Sequence, residues 1–146
     1  MTIDYTTVDE IFKHSHLFEA YADESRGSLV PEVNEDKKRY LELEDQCKLF
    51  SVGAFEGTEM VGFLVFFLHP MLHYNKLAAT MESAFVLKEY RKFGTGAMLF
   101  EEAEQIATKL GAVNFFISAP KGGSLSKVAG SFGYKETNTT FTKSLI

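Results

Sequence analysis

Nine residues, Met60 to Leu68 (MVGFLVFFL), constrain the fold more than any other stretch of the chain. The run is almost wholly apolar. A strand that meets solvent on one face alternates apolar with polar side chains; continuous apolarity means burial on both faces. The run therefore predicts a central strand in a sheet covered by helices, and His69 and Pro70 are expected to stop it. It is far too short to cross a bilayer, which takes about 20 residues. Just before it, Lys48 to Phe55 carries Phe50, Val52 and Ala54 on alternate positions, and Glu56, Gly57 and Thr58 make a hairpin turn.

A second stretch, Ala79 to Leu110, reads as strand, glycine-containing turn and long helix. The strand is Met81 to Leu87. The turn carries Arg91, Lys92, Phe93, Gly94, Thr95 and Gly96. In the helix, about Gly94 to Leu110, the residues Leu99, Ala103, Ile106 and Leu110 share one face. The first N–H groups of a helix lack intrahelical partners and carry partial positive charge. Glycines let an anion approach them, and Arg91 and Lys92 add whole charges beside the turn. The segment predicts a phosphate cradle.

Around these two features the chain supplies helices and further strands. Thr7 and Glu10 form a capping-box pattern ahead of one helix, Val8 to Glu24, ended by Arg26, Gly27 and Ser28. Pro31 and Asn34 precede a peripheral helix, Glu35 to Asp45, with Tyr40 and Leu41 facing inward. After Gly111 come a strand (Val113 to Ser118), a loop with Pro120, Gly122 and Gly123, a short helix (Ser124 to Phe132) and a threonine-rich final strand (Tyr134 to Ser144). The expected class is α/β: one domain, residues 1–146, built on a mixed sheet with helices on both faces.

Composition narrows the function. A net charge of −5 argues against general nucleic-acid binding, which needs a basic surface. Cys47 is the single cysteine, so no internal disulfide forms, which fits a reducing compartment. The start lacks a basic segment followed by an apolar run. The expectation is a cytoplasmic protein that engages no membrane. No His, Cys, Asp or Glu spacing suits a metal ion.

The six residues Arg91-Lys92-Phe93-Gly94-Thr95-Gly96 resemble the Arg/Gln-x-x-Gly-x-Gly/Ala signature of the GCN5-related N-acetyltransferases, the GNAT superfamily. Val86, five residues earlier, matches the valine at the end of the family's preceding strand. Gly133-Tyr134 resembles its late Gly-Phe/Tyr pair, and Thr140 to Leu145 looks like the terminal strand of small bacterial and phage members. A dinucleotide fingerprint fits less well, since Leu99 stands where its third glycine belongs. The Gly-Lys-Ser/Thr ending of a P-loop is absent.

The resemblance implies a mostly antiparallel sheet splayed in the middle, with acetyl-CoA as co-substrate. Arg91, Lys92 and the backbone amides of Phe93, Gly94, Thr95, Gly96 and Ala97 would hold the pyrophosphate. The edge at Phe85, Val86 and Leu87 would pair with the pantetheine amides like an added strand. Lys121 or Ser124 would stand in for the family's helix asparagine.

The chemistry implied is direct transfer of an acetyl group to a primary amine in a ternary complex. A free alkyl amine holds its proton to about pH 10, so a base must remove it. Glu82, the only carboxylate in the strand Met81 to Leu87, is the first candidate. His73, beside Tyr74 in the loop leading into that strand, is the second. The Val86 N–H would meet the oxyanion. The family's usual acid is a tyrosine four residues before the late glycine, and here that position is Ala129. Tyr134, Ser126, Ser131 or water would then serve the thiolate. The gap keeps a second reading open, a catalytically silent protein that binds acyl-CoA or a macromolecular partner. The acidic balance favours cationic amines or basic peptides as acceptors, and the first helix or the final strand offers a surface for a homodimer.

Overall fold

A computed structural model describes residues 1–24 and 36–146. Its five strands form one sheet in sequence order: β1 (Thr2–Thr6), β2 (Leu49–Glu56), β3 (Glu59–Met71), β4 (Lys76–Val86) and β5 (Ala112–Phe116). The first three pairings are antiparallel, and β4 pairs parallel with β5. The helices are α1 (Val8–Lys13), α2 (Ser15–Glu24), α3 (Lys37–Asp45), α4 (Thr95–Lys109) and α5 (Ser124–Val128).

The apolar run works as expected: Met60, Val61, Phe63, Leu64, Val65 and Phe66 are all buried. Alternate side chains feed two cores. Met60, Phe63, Val65 and Phe85 pack with Val8, Ile11, Leu17 and Phe18 beneath the N-terminal helices. Val61, Leu64, Phe66, Ala79 and Val86 pack with Leu99, Phe100, Ala103 and Ala107 of α4. The sheet is thus covered on both faces.

Four expectations are corrected. Strand β3 runs through His69 and Pro70 to Met71. Its pairing with β2 ends at Phe67, so beyond that point β3 is a two-stranded ribbon with β4, where a missing proline N–H is tolerated. The helix expected over Val8 to Glu24 breaks at His14. An α-helix would take the His14 N–H to the Glu10 carbonyl. The imidazole Nδ1 holds that carbonyl at 2.9 Å instead, and the His14 N–H turns to Ile11 O. Strand β1 escaped the sequence reading, because five residues with only Ile3 packed against the core carry little pattern. The final strand, Tyr134 to Ser144, does not form, and Phe141 and Leu145 stand exposed. Threonine favours a pleated surface only when a neighbouring strand supplies one. The expected helix end at Arg26, Gly27 and Ser28 and the approach through Pro31 and Asn34 lie outside the described residues.

Candidate active site

The sheet opens where β4 outruns β5. Parallel pairing spans Leu77 to Thr80 of β4 against Ala112 to Phe116 of β5, and goes no further. From Met81 to Val86, β4 is paired only with β3. The Leu87 N–H reaches across to Val61 O at 3.0 Å. Backbone groups of successive strand residues point to opposite edges. The N–H and C=O of Val86 therefore face the open edge.

A bulge in this same half of β4 places Glu82. Val65 pairs with Ser83 and the next residue, Phe66, with Met81, so Glu82 is the extra residue. Its carboxylate receives two hydroxyls: Tyr40 Oη donates to Oε1 at 2.7 Å and Ser83 Oγ to Oε2 at 2.6 Å. Tyr40 comes from α3, whose N-terminus is capped by Asp36, and its ring meets the edge of Phe12 at 5.8 Å. The sequence orients Tyr40 inward but gives no sign of this partner, which lies 42 positions away.

Beyond Val86 a single 3-10 turn (Lys88–Phe93) leads into α4. Gly94 caps the helix at φ 74°, a left-handed conformation that glycine adopts without strain, and no side chain bonds the first helical N–H groups. A Cβ on Gly94 would meet nothing within 4 Å, and one on Gly96 only Phe132 at 4.0 Å. Neither glycine is crowded by a neighbouring side chain. Thr95 is fully buried, and its hydroxyl donates to Tyr90 O at 2.9 Å, which fixes the turn from below. Lys92 and Phe93 are exposed beside it.

Arg91 is engaged differently from its neighbours. Its Nε donates to Val86 O at 2.7 Å, and its two terminal nitrogens reach the Glu24 carboxylate at 3.2 and 2.6 Å. The guanidinium also lies 5.2 Å from the Phe85 ring centroid. Arg91 is thereby a strut between α2, the end of β4 and the turn. Such a bidentate, stacked geometry suits arginine and no other side chain.

The remaining sequence candidates lie apart from Glu82. His73 and Tyr74 occupy the exposed β3–β4 hairpin turn, ring against ring at 5.3 Å. From Lys76, where β4 begins, to Glu82 is about 20 Å of extended chain. Tyr134 packs on the α4 face of the sheet, between Phe100 and Phe115, and its hydroxyl donates to Glu104 at 2.8 Å. Burial first, and the Glu104 carboxylate second, push this phenol's pKa above its ordinary value. Ser124 begins the five-residue α5 and is exposed. His69, read from sequence only as a strand stop, shares a 2.7 Å hydrogen bond with Thr80, the last β4 residue paired to β5. Among the described residues no group of three or more His, Cys, Asp or Glu is arranged to hold a metal ion, and no helix is long and apolar enough to cross a membrane.

Residues 14–121 match the family model described as the acetyltransferase (GNAT) family. The chain belongs to that family. Solved structures share the fold of this GNAT acetyltransferase over almost its full length. A ribosomal-protein-alanine N-acetyltransferase from Brucella melitensis biovar Abortus 2308 superposes with a TM-score of 0.77 at 16% identity, covering 99% of this chain and 100% of that one. An aminoglycoside acetyltransferase from an uncultured soil metagenomic sample, bound to sisomicin, gives 0.78 at 20%, covering 99% and 96%. The glucosamine-6-phosphate N-acetyltransferase of Arabidopsis thaliana gives 0.75 at 11%, covering 99% and 98%. No curated protein matches the sequence.

Proposed function

We propose that this chain moves the acetyl group of acetyl-CoA to a primary amine by direct attack in a ternary complex, with residues 1–146 acting as one domain. The observation that carries the reading is the half of β4 from Met81 to Val86. There the edge facing β5 is open, a carboxylate sits at a bulge, and a short 3-10 helix joins the strand to an α4 N-terminus that takes no side-chain cap.

In this reading the amides of Phe93 to Ala97 and the Lys92 ammonium hold the pyrophosphate. Arg91 shapes the cradle, because Nε and both terminal nitrogens already donate to Val86 O and Glu24, which leaves Lys92, among the described residues, as the free charge beside the turn. The open edge beside Phe85 and Val86 receives the pantetheine arm. Glu82 takes a proton from the ammonium, and the neutral nitrogen attacks the thioester carbon. The Val86 N–H stabilises the oxyanion. The tetrahedral nitrogen gives its second proton to water, the C–S bond breaks as the carbonyl re-forms, and the thiolate leaves. With an ordinary thiol pKa near 8.5, the thiolate is protonated from water without a dedicated acid.

The relatives' printed names span a ribosomal-protein alanine, an aminoglycoside and glucosamine-6-phosphate, which supports an amine acceptor without choosing among them. Titration calorimetry with acetyl-CoA tests the cradle. Thiol release in the presence of spermidine, sisomicin and a peptide with N-terminal alanine tests transfer. Saturable acetyl-CoA binding is expected; folded protein that binds none would remove this reading.

A further inference from the structure

Beyond the base itself, we infer that Tyr40 is the positioning residue for Glu82, fixing the carboxylate through its hydroxyl and so setting the rate of proton removal from the acceptor. The inference rests on the reading of Glu82 as base. Three observations lead to it.

First, the bulge that makes Glu82 an extra residue takes away the tight registration that a regular strand position provides. A glutamate has three side-chain torsions, and a base must hold its oxygen within a fraction of an ångström of the productive place. Something other than the strand has to aim it. Second, the two hydroxyl donors reach different oxygens, Tyr40 on Oε1 and Ser83 on Oε2. An ionised carboxylate has about four acceptor sites, so each oxygen keeps one lone pair for the incoming ammonium proton while the plane of the group is fixed. Third, the two donors differ in kind. Ser83 is the next residue on the same strand and is buried, so it moves with Glu82. Tyr40 belongs to α3, and it ties the carboxylate to an element outside the sheet.

Tyr40 touches no reacting atom in this scheme. Its effect passes through Glu82, and its removal should change turnover without changing cofactor binding. The ring itself packs against Phe12, so Tyr40→Phe keeps that packing and deletes the hydroxyl.

The test uses the full chain with carbon-13 in its glutamate carboxyls, together with initial rates on whichever of spermidine, sisomicin and the alanine peptide is acetylated. Tyr40→Phe should move the Glu82 Cδ resonance at neutral pH, since a donor to Oε1 is lost. It should lower kcat about tenfold, the loss expected for one hydrogen bond to a charged group. The acetyl-CoA KM should stay as in the parent. In the Glu82→Gln background the same change should cost nothing further. Ser83→Ala, tested in parallel, should lower kcat less, because the tether to α3 remains. A Glu82 Cδ resonance that stays in place in Tyr40→Phe overturns the inference whatever the rates. If Glu82→Gln lowers kcat and Tyr40→Phe does not, the positioning role falls and the base stands. If Glu82→Gln leaves kcat intact, both fall.

Discussion

Two tyrosine–glutamate hydrogen bonds of nearly equal length stand on opposite faces of the sheet, and they do different work. Tyr40 donates to Glu82 at 2.7 Å among the N-terminal helices; Tyr134 donates to Glu104 at 2.8 Å on the α4 face. The chemistry of the two bonds is the same. Their settings are not. Glu82 sits at a bulge on a strand with an open edge and has a second hydroxyl on its other oxygen. Glu104 rides on a regular helix, and its tyrosine is packed against Phe100 and Phe115. Burial and the facing carboxylate raise the Tyr134 pKa, so this phenol gives up its proton less readily than a free one. In the proposed scheme the first bond aims the base, whereas the second joins α4 to the segment after Gly133.

The largest effect should come from breaking the symmetry at the carboxylates. Glu82→Gln should lower kcat by about a hundredfold or more, the usual contribution of a general base, with little loss of stability. Glu104→Gln keeps an oxygen to accept from Tyr134 and should leave kcat within about twofold. Steady-state rates on the two variants decide the matter: equal losses would erase the distinction between the two pairs.

A smaller effect separates the carboxylate from the turn. Gly96→Val fits the space at α4's N-terminus, since only Phe132 lies near, but it fills the place an anion would take. Acetyl-CoA affinity should fall about tenfold by calorimetry, in line with loss of one or two charge-assisted hydrogen bonds. At saturating acetyl-CoA the kcat should survive. A variant that binds acetyl-CoA as the parent does would move the cradle elsewhere.

What the sequence showed of this comparison follows from the range of the forces involved. Gly94 and Gly96 announce the turn because backbone conformation and helix ends are local, set within a few residues. The run Met60 to Leu68 announces the central strand for the same reason. Glu82 stood out as the one carboxylate in an apolar strand, yet nothing local shows that Tyr40 reaches it, or that Glu24 takes Arg91 from 67 positions away. Those bonds exist only once the sheet brings distant elements together. The break at His14 was hidden for a subtler reason: the imidazole competes for one backbone carbonyl, which periodicity cannot register. Ala129 stands where the family's tyrosine belongs, which makes Tyr134 a candidate acid, and no local pattern shows that its hydroxyl donates to Glu104.

The smallest effect concerns stability and isolates the structural member of the pair. Tyr134→Phe should cost about 1 kcal/mol at neutral pH, or about 3 °C in Tm, with kcat nearly unchanged. The pH dependence gives a sharper signature. In the folded chain Tyr134 holds its proton above the ordinary tyrosine value of 10.0, while the unfolded chain releases it near that value. Above about pH 10 the folded state therefore binds more protons than the unfolded state, and stability must fall as pH rises. The contribution is fully present below pH 10 and is lost on the way up. Tyr134→Phe removes that term, so urea midpoints measured at pH 7 and at pH 10.5 should lie closer together in the variant than in the parent. Midpoints that spread equally in both proteins would mean that Tyr134 titrates as a free phenol, and that the bond to Glu104 does not hold in solution.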